Sequence, residues 1–215
     1  MNSKLNLPSI LPIFPLSNFI FFPNTSIPLN IFEERYLKMV NDCMQKDRII
    51  GMIQPKSKVN KKNIPELYSI GCAGKIISFN ETEDNNILLV LNGICRFKIL
   101  TELQNNKLYR ECKISFEEFK NDSVSNKEVF KFSNSNILLN NFKIFFQKKK
   151  LSINWKKLEK QNICQVINTL SMISPFSLEE KQILLKANNL ESRKKILLEI
   201  LNTYLSTDVE NKTIQ

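Results

Sequence analysis

Leu11-Pro12-Ile13-Phe14-Pro15-Leu16, Phe22-Pro23-Asn24 and Leu29-Asn30-Ile31-Phe32-Glu33-Glu34-Arg35-Tyr36 are the stretches from which the fold is read. Aromatic and β-branched residues flank Pro23-Asn24 and predict two short strands within residues 11 to 32, joined by a turn at that dipeptide. A helix is predicted next. Asn30 is placed to cap it, and Glu33, three residues on, occupies the capping-box position. Phe32, Tyr36, Met39, Val40, Cys43 and Met44 recur at i, i+4, i+7, i+8, i+11 and i+12, a helical stripe that has to face a core.

Further along, Arg48 to Gln54 reads as a strand and Pro55 to Pro65 as a lysine-rich loop. Strands are predicted near Ile70 to Phe79, Ile87 to Leu100 and Lys107 to Phe116. Polar turns at Asn80 to Asn86 and at Asn105-Asn106 join them. Gly93 interrupts a long apolar run and marks a bulge or bend where a sheet closes. The pattern describes a small, curled β-barrel with one helix.

From about Ser123 the apolar period changes from two to 3.6. Val129 to Lys149 is a long helix candidate with Leu138, Phe142, Phe145 and Phe146 on one face. Ile163 to Ile173 is a second, stopped by Pro175. Ser177-Leu178-Glu179-Glu180 restarts a third as a capping box, and Glu191 to Leu205 is a fourth. The expected class is α+β, with a barrel domain over residues 1–120 and a helical bundle extension with a polar C-terminal tail over 121–215. Trp155, the single tryptophan, is expected to anchor the bundle to the barrel.

The opening run, the Phe-Pro turn, the Phe-Glu-x-Arg-Tyr helix start, Ile70-Gly71-Cys72-Ala73-Gly74-Lys75-Ile76 and Leu91-Asn92-Gly93-Ile94-Cys95-Arg96-Phe97 occur in a fixed order. Together they resemble the Lon protease substrate-binding (N-terminal) domain family, in its stand-alone bacterial form that lacks the ATPase and protease domains. Leu184 to Leu198 is similar, more loosely, to the end of that family's helical region. The resemblance implies a PUA-like β pseudo-barrel followed by helices. It also implies a non-catalytic module that binds unfolded or client polypeptides in cytoplasmic protein quality control, beside a protease or chaperone. The alternative is an RNA-binding PUA-like module. Glu33, Arg35, Tyr36, Gly93, Arg96 and Phe97 are the family's structural motif positions in this chain.

The composition fits that picture. Hydrophobic residues make up 42% and charged residues 24% of the 215, and no apolar run approaches the ~18 residues of a spanning helix, so no membrane segment is predicted. Pro8, Pro12 and Pro15 break any secretory h-region. The five cysteines, at 43, 72, 95, 112 and 164, form no Cys-x-x-Cys pair, which points to a reducing compartment. A net charge of +10 raises the question of nucleic acid. Only five of the 31 basic residues are arginine, however, and phosphate and base recognition favours the guanidinium fork.

Histidine is absent, which removes the commonest general base and zinc ligand. With four glycines and no Gly-x-x-x-x-Gly-Lys loop, neither ATP hydrolysis nor proteolysis is expected, and no cofactor or metal is predicted. Cys72 and Cys95 fall in predicted strands, where a thiol behaves as a small hydrophobe. Glu33 reads as a structural carboxylate within ion-pair reach of Arg35 or Arg96. Phe14, Phe19, Phe21 and Phe22 crowd nine residues. They form the candidate peptide-binding set if part of them stays exposed, and a core cluster if none does.

Overall fold

The computed structural model describes residues 7–56, 65–122 and 135–210, with side chains from 137 to 206 in the last segment. Residues 57–64 of the expected lysine-rich loop, and the part of the expected Val129 helix before Ser135, lie outside the described residues. The chain divides into two units, Met1–Ser125 and Asn126–Gln215.

The first unit contains β1 (Ile10–Pro15), β2 (Ser26–Ile31), α1 (Glu34–Met44), β3 (Ile49–Ile53), β4 (Ile70–Glu81), β5 (Ile87–Leu103) and β6 (Arg110–Ser115), then 3₁₀ turns over Glu117–Asp122. The strand order is β2-β5-β4-β3-β1-β6, and β6 pairs back onto β5. β5, β4, β3, β1 and β6 therefore close into a barrel, with β2 as an added strand. Among the described strands only β1 and β3 run parallel; the other pairs are antiparallel.

β5 makes the closure possible. It is 17 residues long and serves β2 over 87–92, β6 over 98–103 and β4 over 87–98. Ile94 is an extra residue between the Ala73–Cys95 and Gly74–Gly93 pairs, and Leu100 another between Ile99–Ile114 and Thr101–Lys113. Each bulge bends and twists the strand, which is what lets an open sheet meet itself. Gly93 sits at the first of them. A Cβ there would lie 2.0 Å from the Phe22 carbonyl oxygen, so only glycine admits the Pro23-Asn24 turn. Gly93 N–H donates to the Thr25 carbonyl at 2.8 Å, and Asn24 N–H donates to the Gly93 carbonyl at 2.9 Å.

The turn lies where the sequence puts it, but β1 and β2 do not pair with each other. β1 sits between β3 and β6, whereas β2 joins β5. Ile20, Phe21 and Phe22 between them are fully buried, and that burial outweighs a short two-strand ladder. The helix start also differs from expectation. Asn30 is engaged in β2 opposite Leu88. α1 begins at Glu34 behind an extended Glu33 that makes no side-chain cap, so the predicted capping box does not form. Tyr36, Met39, Val40 and Cys43 are buried as the stripe requires, but Phe32 precedes the helix and is 66% exposed.

Inside the barrel, Leu11, Ile13, Ile49, Ile53, Ala73, Phe97, Cys112 and Ile114 form one cluster. Phe97 is its centre. A Cβ on Gly71 would meet the Phe97 ring at 2.7 Å and the Met52 carbonyl at 2.4 Å, which explains why a glycine faces this ring.

The second unit is helical: α2 (Ser135–Lys148), α3 (Trp155–Glu159), α4 (Ile163–Ile173), α5 (Leu178–Lys186) and α6 (Leu190–Glu210). Ser177 and Glu180 form the predicted capping box in full, and Asn154 and Asn162 cap α3 and α4. α3 has too few residues to show a helical period in the sequence. Leu138, Phe142, Phe145 and Phe146 are all buried. Phe145 stacks on Phe176 at 5.8 Å, and Trp155 meets Phe146 edge-on at 5.6 Å, within this unit. Arg193 is buried and donates to the Leu184 carbonyl at 3.1 Å and to Asn168 Oδ1 at 2.8 Å, which ties α6 to α5 and α4.

Candidate functional site

The phenylalanine set does not make an exposed patch. Phe14 lies on β1 against Tyr36, with ring centroids 4.3 Å apart, and is buried. Phe21 and Phe22 are core, with Phe21 packed over Gly74. Phe19 alone is half-buried. Density of aromatics suggested a surplus, but the chain between β1 and β2 folds inward and absorbs it.

The motif charges separate into two different pairs. Arg35 donates to Glu33 Oε2 through Nε at 3.0 Å and Nη2 at 2.6 Å, and its guanidinium covers the Tyr36 ring at 4.6 Å. Burial is the main cause that raises the Tyr36 phenol above its ordinary range. Both charges of that pair are solvated. Arg96, by contrast, is 3% exposed and grips Asp122 with Nε at 2.7 Å and Nη2 at 2.9 Å. Asp122 also accepts from the Arg96 backbone N–H at 3.1 Å, and the guanidinium stacks 4.4 Å over Phe119. Arg96 thus clamps the 3₁₀ turns onto β5, and Glu33 is not its partner. Asp122 lies 26 positions away with no local signal, so sequence reading passed over it.

Cys72, Cys95 and Cys112 are buried in strands and Cys43 in α1. Burial pushes Cys43 and Cys95 up to about 12 and Cys112 up to about 11, so these thiols are poor nucleophiles and poor metal ligands. A cleft of about 490 Å³ opens between the end of α1, the start of β1 and β6, lined by Asp42, Lys46, Arg48, Tyr109 and Glu111 among others. Asp42 accepts from the Tyr109 hydroxyl at 2.8 Å, which holds its carboxyl below the usual range, and from Lys38 at 3.1 Å. Glu111 pairs with Lys107 at 2.7 Å. These carboxylates are engaged by neighbours.

What remains open is the outer face of the ribbon β2–β5–β4. Asn30, Leu88 and Asn80 lie in one cross-strand row, and Pro28, Val90 and Ser78 in the next. Ile77 is the extra residue of a bulge in β4 beside that second row. Leu88 is 46% exposed, Ile77 59%, and Phe32 continues from the end of β2. Ile87-Leu88-Leu89-Val90-Leu91 is apolar on both strand faces. Ile87, Leu89 and Leu91 are buried, with Leu91 beside Phe21 over Gly74, while Leu88 on the other face is left exposed. β2 is the ribbon's edge and, among the described residues, pairs only with β5. The Gly93–Thr25 bond sets the ladder's alternation, which turns the backbone of Ser26, Pro28 and Asn30 outward. Pro28 brings no donor there, so the edge is a poor template for adding a strand.

The model of the ATP-dependent protease La (LON) substrate-binding domain matches residues 10–203. The chain belongs to the LON substrate-binding domain family. It is 25% identical over 221 residues to Lon protease 2 of Myxococcus xanthus, covering 93% of this chain and 24% of that protein. Against the Lon protease of Malacoplasma penetrans it is 31% identical over 193 residues, covering 83% of this chain and 23% of that one. The chain thus spans about a quarter of the length of these relatives. The fold matches the Lon N-terminal domain protein from Xanthomonas campestris with a TM-score of 0.61 at 21% identity, over 89% of this chain and 98% of that one. It also matches the N-terminal domain of Mycobacterium avium complex Lon protease, with a TM-score of 0.57 at 12% identity, over 90% and 98%. The LON substrate-binding domain here is therefore an α+β chain with a PUA-like barrel and C-terminal helices. No described helix is long and apolar enough to cross a membrane.

Proposed function

We propose that this chain is a non-catalytic polypeptide-recognition module of protein quality control, one that takes unfolded or client segments on the outer face of the β2–β5–β4 ribbon. The supporting observation is the solvent-exposed run Phe32, Leu88 and Ile77 in a family named for substrate binding. Three large apolar side chains on one side of a small ribbon form a patch of the kind that marks interaction sites. Because Pro28 weakens the edge of β2, recognition runs through side chains on the face rather than through strand addition. A bacterial cytoplasm, and a protease or chaperone acting alongside, complete the reading.

The test is a titration of a permanently unfolded model protein, reduced and carboxymethylated, and of an RNA oligomer, each at about 50 and 200 mM salt. Polypeptide binding that changes little with salt and weakens about tenfold in Leu88→Ser or Ile77→Ser is the expected result. Binding of RNA alone, falling about 10³-fold over that salt range, would replace the reading with the RNA-binding one.

A further inference from the structure

The chain has five arginines, and four are built into the structure. Arg35 pairs with Glu33, Arg96 with Asp122 and Arg110 with Glu102, while Arg193 donates to Asn168 Oδ1 and the Leu184 carbonyl. The fifth, Arg48, is exposed, and its guanidinium makes no hydrogen bond or ion pair among the described residues. It lines the cleft of about 490 Å³ at the end of α1. Its backbone sits at φ 59° in the turn after the helix, with its N–H bonded to the Cys43 carbonyl at 3.1 Å and its carbonyl accepting from Ile76 N–H at 2.8 Å. Glycine or asparagine adopts that left-handed backbone with less strain, so local conformation does not account for an arginine there.

The cleft exists because α1 stops short. Ile10, Pro12 and Phe14 alternate along β1 with the core residues Leu11 and Ile13 and share the strand's outer face. Tyr36 covers Phe14, but the helix ends at Met44 and leaves Pro12 half-buried and Ile10 46% exposed. Pro12 lies in one cross-strand row with Glu111 and Leu103, and Ile10 in the next with Lys113 and Thr101. The floor is therefore largely apolar, and Lys46, Asp47 and Arg48 form a wall. Glu111 is held by Lys107, and Asp42 by Tyr109 and Lys38. The charges left without an ion pair among the described residues are the cations Lys46, Arg48 and, beside Ile10, Lys113, against the one carboxylate of Asp47.

From this arrangement we infer that the cleft is a second binding site, sharing no residue with the ribbon face, that captures the C-terminal end of a polypeptide. The last, apolar residue packs on Ile10, Pro12 and Leu103, and its free carboxylate meets the Arg48 guanidinium. A guanidinium donates two parallel N–H bonds to a carboxylate, whereas Lys46 and Lys113 add positive field without that geometry. The volume falls within the ~300–1,000 Å³ of small-ligand clefts. An internal apolar segment carries no such charge, so this site distinguishes chain ends from apolar content. The inference rests on the polypeptide reading for the class of ligand alone.

The experiment uses the full chain and a labelled, unstructured hexapeptide ending in Leu-Phe, as its free acid and as its C-terminal amide, with octanoate as a third probe, all titrated at about 0.1 M salt. The free acid is expected to bind about tenfold more tightly than the amide. In Arg48→Asn, which suits the left-handed backbone, that ratio should fall to one while the amide binds as before, with circular dichroism confirming the fold. Leu103→Asp should weaken both peptides, and Leu88→Ser should leave the ratio unchanged. Equal binding of acid and amide, a ratio that survives Arg48→Asn or is lost in Leu88→Ser, indifference to Leu103→Asp, or binding of octanoate alone overturns the chain-end site. So does binding of none of the three probes. The unfolded-protein titration of the Leu88 and Ile77 variants decides the ribbon reading separately.

Discussion

The N-terminal run from Ile10 to Phe22 and the outer face of the β2–β5–β4 ribbon are both rich in large apolar residues, yet one is core and the other surface. Phe14, Phe21 and Phe22 are buried, whereas Phe32, Ile77 and Leu88 face solvent. Aromatic density along the chain does not separate them. What covers each side chain does: Tyr36 of α1 lies against Phe14, and Phe21, in the connection between β1 and β2, packs over Gly74.

Stability measurements can break that comparison most directly. Phe22→Ala should cost about 3–5 kcal/mol, read as a lower denaturant midpoint at unchanged slope. Phe32→Ala should stay within ~0.5 kcal/mol of the parent. Equal losses would mean that Phe32 is covered, and the recognition surface would have to be sought elsewhere.

The two arginine pairs extend the contrast at smaller scale. Asp122→Ala leaves the Arg96 guanidinium buried without its carboxylate and should destabilise by about 3 kcal/mol. Glu33→Ala, in a solvated pair, should lose less than ~1 kcal/mol. A large effect at Glu33 and a small one at Asp122 would reverse the assignment of which motif charge holds the barrel together.

The buried thiols give an effect confined to alkaline pH. Cys43, Cys95 and Cys112 hold their protons more tightly folded than unfolded, with burial moving the first two from 9.0 to about 12 and the third to about 11. Their contribution is complete below pH 9 and declines as pH rises toward 11 and 12, because the unfolded chain releases these protons first. Alkaline titration of the unfolding midpoint checks this. Thiol alkylation at pH 8 gives a second measure, since Cys164, less buried than the others, should react before them.

Much of this protein was legible in the chain itself. The helix stripe Tyr36, Met39, Val40 and Cys43, the aromatic face of α2, the Ser177–Glu180 cap and the bend at Gly93 each depend on residues within a few positions of one another, where spacing alone fixes which side is apolar. Asn30 misled because two local rules competed for it. As a cap it would contribute about 1 kcal/mol, but the ladder with β5 extends through it and on to Ile31. What only tertiary structure decided were the long-range matters: that β1 inserts between β3 and β6 while β2 joins β5, that Asp122 returns to Arg96, and which face of Ile87 to Leu91 stays outside. Each is set by strand order and by bulges that add one residue to one side of a ladder. A sequence records apolar period, but it does not record which distant strand will lie beside it.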